Sequence, residues 1–155
     1  DVTTSFYNIH FIFQKVLGDD MGFLPWRDHG INPYGNSIIA NGKYLSANRA
    51  TVEKFVKITQ KSYADCVKTP DPCVAALVTA NSGLKTGSSM KNWELVTELM
   101  SDKTSRTVAL GHFDDTRMGA DYKMIETYFN LGKPFDIKGA YTNAFLENTI
   151  KFPAK

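Results

Sequence analysis

Apolar positions change period along this chain, and the change divides it in two. Residues 2–7, Val2-Thr3-Thr4-Ser5-Phe6-Tyr7, are β-branched and aromatic and predict a strand. A helix is expected next, with Ile9, Phe11 or Phe13, and Val16-Leu17 as its apolar positions, ending before Gly18-Asp19-Asp20. A second short apolar run covers 22–26, and a third covers 37–40, with the turn signal Asn41-Gly42 behind it. Strand, helix and strand make a βαβ-like unit, which implies a parallel sheet covered on both faces. The expected fold class is therefore α/β: a short parallel-sheet segment followed by a helix-rich C-terminal region.

From Ser46 the period is that of helices. Ser46 or Asn48 can cap a helix with the stripe Val52, Phe55, Val56, Thr59, Tyr63 and Val67, while Glu53, Lys54, Lys57 and Lys61 face water. Pro70 stops it, and Asp71 caps the next helix with Pro72 in first position and Val74, Leu77 and Val78 inside. A third helix, capped by Ser88, carries Trp93, Val96, Leu99 and Met100. A fourth over 115–130 carries Met118, Tyr122, Ile125 and Phe129, with Gly132 behind it. The tail from Lys133 reads as an extended arm, with Thr142 or Asn143 capping a final turn around Phe145-Leu146.

Composition narrows the class. The 155 residues are 43% hydrophobic and 22% charged, the balance of a folded globular chain of one-domain size. A formal charge of +2, with no basic run, gives no electrostatic footprint for nucleic acid. No apolar run approaches a membrane span. The chain starts at Asp1 without Met, which fits a chain processed, trimmed or cut from something longer.

Candidate chemistry concentrates at 23–45, FLPWRDHGINPYGNSIIANGKYL. Trp, Arg, Asp, His, Asn and Tyr crowd a loop between two apolar runs, the composition of a recognition surface rather than of a catalytic centre. Tyr7 and Asn8 would lie at the carboxyl end of the first strand, where open α/β sheets bind ligands. The expected ligand contacts are Tyr7, Asn8, Asp28, Tyr34, Gly35 and Asn36. Tyr34 could lie flat on a ring or simply brace the turn after Pro33, and Asn8 could simply cap the following helix. His10, His29 and His112 sit in separate segments without a catalytic or metal pattern, and His112 reads as structural. Gly87-Ser88-Ser89 lacks the strand and glycine pattern of a phosphate loop. No catalytic residue, metal or cofactor is expected. Cys66 and Cys73 flank a helix corner as CVKTPDPC. Their spacing fits neither a tetrahedral metal site nor a redox pair, which leaves a disulfide pinning the corner or two small hydrophobes.

WRDHGINPYGNSIIANGKYL, together with TSRTVALGHFDDTRMGADYKMIETYFNLGKPFDIKGAYTNAFL, resembles the substrate-binding proteins of ABC importers. The group is the nitrate/sulfonate/taurine and thiamine-precursor binding family. The resemblance covers nearly the whole chain, but only the C-terminal half of such a protein. It implies a partial periplasmic-binding-protein-like fold of type II. Residues 1–45 would form a second-lobe α/β segment plus a hinge crossing strand, and 46–155 a helical segment packing on a first lobe that this chain lacks. It further implies a small-molecule ligand held between two lobes, an ABC permease as partner, and a periplasmic or extracellular location. The ligand would be a sulfonate, a nitrate-like anion or a thiamine-pyrimidine-like heterocycle, with the loop's aromatic and amide groups favouring the heterocycle. The alternatives are a thiamine-pyrimidine synthase-like enzyme of the same fold and a non-binding fragment. A chain without its first lobe would be expected to dimerise or swap elements.

Overall fold

The computed structural model describes residues 1–154, and among them there is no strand. The expected α/β class and its parallel-sheet segment are therefore overturned: the fold is helical. Seven α-helices follow one another: α1 (His10–Leu17), α2 (Gly42–Ala47), α3 (Arg49–Lys68), α4 (Pro70–Ala80), α5 (Thr86–Met100), α6 (Lys103–Thr107) and α7 (Asp115–Tyr128). Residues 2–6 lie open to solvent with no strand partner, and a lone strand cannot satisfy its own backbone. Pro25 removes a donor from the 22–26 run meant to pair with it. Trp26–His29 instead winds into a 3₁₀ turn closed by Gly30 at φ 81°, a left-handed conformation suited to glycine.

Helix boundaries follow local chemistry closely. Gly18, at φ 58°, ends α1 where the spacing placed its end. The Asn41 side chain accepts from the Lys43 and Tyr44 N–H groups and starts the short α2. Pro70 opens α4 rather than Pro72, so Asp71 falls inside the first turn instead of at the cap. α5 begins at Thr86, which leaves Ser88 in the first turn with its hydroxyl on the Lys85 carbonyl at 3.1 Å. A disulfide joins Cys66 to Cys73 across the α3–α4 corner, with Cα atoms 5.8 Å apart. Trp93 of α5 donates its indole N–H to the Cys66 carbonyl at 3.2 Å, tying a third helix to that corner.

The core is small and lies where α3 meets the C-terminal arm. Ala64, Leu110 and Phe152 form its buried centre, with Val67, Met100 and Ile150 packed around them. α3 does not bury the expected stripe: Phe55 remains 58% exposed, whereas Gln60 is only 5% exposed. Gln60 donates to the carbonyls of Leu110 (2.9 Å), Glu147 (3.1 Å) and Ile150 (3.3 Å), and its carbonyl accepts the Glu147 N–H at 2.9 Å. One amide side chain thus closes the arm onto the helix.

Much apolar surface stays uncovered. The chain exposes 11526 Å², against about 7,800 Å² for a folded monomer of its mass of 17.3 kDa. Phe6, Ile12, Val16, Leu24, Trp26 and Ile39 account for part of the surplus, all in the first forty residues.

Candidate functional site

The loop after Gly30 is held against α7 by one tyrosine and one arginine. Tyr34 is half-buried; its phenol oxygen accepts the Asp114 N–H at 2.7 Å, and its backbone N–H donates to Asp121 Oδ2 at 3.2 Å. Its ring meets Phe113 edge-on at 5.1 Å, and Phe113 meets Tyr141 at 5.5 Å. The Arg117 guanidinium lies 4.0 Å from the Tyr34 ring centre. Its Nε donates to the Asn32 carbonyl at 2.8 Å, and its Nη2 to Asn32 Oδ1 at 3.2 Å and the Pro33 carbonyl at 3.0 Å. Nη1 faces Asp102 Oδ2 at 3.7 Å, while the other oxygen of Asp102 caps α6 through the Ser105 N–H. Burial pushes the Tyr34 phenol above its usual pKa, opposed by the Asp114 N–H and by Arg117.

Behind Tyr34 a second polar knot fixes the corner between α6 and α7. Asn143 pairs reciprocally with the Phe113 backbone, accepting its N–H at 2.9 Å and donating to its carbonyl at 2.9 Å. That pairing turns the amide NH₂ toward His112 Nε2 at 3.4 Å. His112 Nδ1 is buried without a hydrogen-bond partner. Tyr141 donates to Asp115 Oδ1 at 2.7 Å, and this hydrogen bond raises its pKa to about 12, with burial and the Asp115 charge adding to it.

The other expected contacts fall into a separate group. Tyr7 donates to Glu98 Oε2 of α5 at 3.1 Å, and the Asn8 carbonyl accepts from Asn92 at 3.1 Å. Arg27 covers the Tyr7 ring at 4.9 Å and reaches the neighbouring, exposed Asp28 at 3.8 Å. His10 stacks on Phe23 at 4.5 Å, and its Nδ1 meets the Tyr7 carbonyl. Gly35 and Asn36 are exposed, and a Cβ at Gly35 would meet nothing within 4 Å. Among the described residues no hydrogen bond or ring contact joins the Tyr7 group to the Tyr34 group. The structure therefore does not gather the six expected contacts into one crevice.

What it forms instead is a cleft of about 430 Å³ between residues 29–32 and one face of α7. Arg117, Ala120, Asp121, Met124 and Tyr128 line it at the three-and-four spacing of a single helix face, opposite His29, Gly30, Ile31 and Asn32. This volume is in the range of small-molecule sites. Sequence reasoning passed over Arg117 and Asp121. Their i, i+4 spacing on a helix was visible, but its pairing with a loop more than eighty residues away was not.

Residues 1–73 match the family model described as NMT1/THI5 like. The match covers 73 of the 155 residues, just under half of the chain. No curated protein and no solved structure matches the chain. The NMT1/THI5-like stretch takes in Tyr7 through Asn36 and both cysteines, whereas Arg117 and Asp121 lie outside it. No helix of the described residues is long and apolar enough to cross a membrane.

Proposed function

We propose that the chain belongs to the solute-binding component of an ABC importer, working in the periplasm or outside the cell. It holds a small organic molecule and passes it to a membrane permease, without chemical turnover. The NMT1/THI5-like match over residues 1–73 carries this reading. The cleft beside the recognition loop supports it, because rigid helix contacts hold a polar, aromatic loop open on one side. The class of solute follows from the family: a sulfonate, a nitrate-like anion or a thiamine-pyrimidine-like heterocycle. The surplus of apolar surface supports a working state in which more protein, a second copy included, covers the first forty residues.

A thiamine-pyrimidine synthase-like enzyme is the second reading, favoured by the same family match. Against it, Cys66 and Cys73 sit in a helix corner and are joined to each other.

A thermal-shift panel of nitrate, taurine and an aminopyrimidine thiamine precursor tests the proposal. Ligand at 100 times its Kd stabilises the folded state by about 2.7 kcal/mol, a clear rise in Tm. No response to any of the three compounds would overturn it.

A further inference from the structure

The α7 cleft is selective in charge. Each nitrogen of Arg117 is already engaged, Nε and Nη2 by the 32–33 backbone and the Asn32 side chain, Nη1 by Asp102. Its charge is balanced there by the Asp102 carboxylate. Asp121 is different: it is half-buried, one oxygen takes the Tyr34 N–H, and no basic group pairs with it within 4 Å among the described residues. Its second oxygen is left as a charged acceptor on the cleft wall. The rest of the lining mixes the polar His29, Asn32 and Arg117 with Ile31, Ala120, Met124 and the largely exposed Tyr128.

We infer that this cleft takes an organic amine, its ammonium on the free oxygen of Asp121 and its apolar or aromatic body along Ile31, Met124 and Tyr128. A charge-assisted N–H···O bond forms only with a donor, so a sulfonate or nitrate is repelled where the ammonium is held. The inference rests on the solute-binding proposal and narrows its ligand from three classes to one feature, a positive nitrogen on a compact body.

Three probes that differ only in their head group test it: benzylammonium, benzyl alcohol and phenylmethanesulfonate, titrated by amide NMR. Benzylammonium is expected to shift Gly30, Asp121 and Met124, and to bind at least about tenfold more tightly than the alcohol, with the sulfonate silent. Asp121→Asn keeps the oxygen that accepts the Tyr34 N–H and should erase the preference for the amine. Met124→Lys sets an ammonium one turn from Asp121 and should abolish binding, and it serves if Asp121→Asn does not fold. Equal or tighter binding of the sulfonate overturns the inference. So does silence from all three probes, or an unchanged preference in Asp121→Asn. If the thermal-shift panel responds to nitrate or taurine while this cleft stays silent, solute binding stands and the amine site falls. If the panel fails and benzylammonium binds here, the importer reading falls and the amine site stands.

Discussion

Replacing Gln60 measures how much the fold depends on one buried amide. In Gln60→Met the apolar volume is nearly kept, but two groups lose their only hydrogen-bond partner, the Leu110 carbonyl and the Glu147 N–H. The other two carbonyls keep one each, since Ile150 O still accepts from Leu110 and Glu147 O from Ile150. Two orphaned groups at about 1–3 kcal/mol each give about 2–6 kcal/mol, and the half-open Glu147 backbone admits water, so we expect about 3 kcal/mol. Gln60→Glu is the sharper variant. Its carboxylate would face three carbonyl oxygens, whereas the protonated acid could donate to one of them. The folded state would therefore raise the pKa of the new carboxyl, and stability would fall as pH climbs above about 4.3, its unfolded value. Urea titrations followed by helical circular dichroism at pH 4 and pH 7 read both effects. A loss below about 1 kcal/mol in Gln60→Met, or a Gln60→Glu variant as stable at pH 7 as at pH 4, would refute the account.

The remaining expectations concern separate parts of the molecule. Cys66 and Cys73 should give no free thiol in oxidised, denatured protein, and the double serine variant should lose about 2.5 kcal/mol, as expected for closing so short a loop; two reactive thiols would contradict this. The Tyr141 phenol should titrate near pH 12, so its contribution to stability is present below pH 10 and lost as pH rises through 12. Comparing phenolate absorbance with Tyr141→Phe isolates it, and Asp115→Asn should return it toward 10; a midpoint near 10 in the parent protein would refute the hydrogen bond. The exposed apolar side chains of the first forty residues should make the chain associate as concentration rises, whereas a single monomer across the range in sedimentation would show that this surface is tolerated bare.

The sequence made some elements plain and concealed others for definite reasons. Gly18 and Pro70 mark helix ends by local chemistry, which is written in neighbouring residues, whereas Asn41-Gly42, read as a turn signal, starts the unforeseen α2. The first-strand reading failed because strand formation depends on a partner, and nothing in Val2-Thr3-Thr4 supplies one. α6 escaped notice because its five residues carry no apolar stripe, only the Asp102–Ser105 capping box. Tyr34 was read as ring-stacking or as a brace; in this structure it is bonded to Asp114 and Asp121. The partners of Tyr34 and Gln60 lie too far along the chain for periodicity to reveal them.

Consider the order in which a ribosome would deliver these parts. Gln60 emerges well before its most distant partner, Ile150, which follows 90 residues later. At roughly 5–20 residues per second, α3 waits between about 5 and 20 s with its buried face open. Cys66 and Cys73, by contrast, are within reach of each other almost at once. The corner's two thiols can meet without the arm, and an oxidising compartment joins them. During the wait the nascent chain is a helical hairpin with an unmet polar socket. A chaperone or a protease could act on it there.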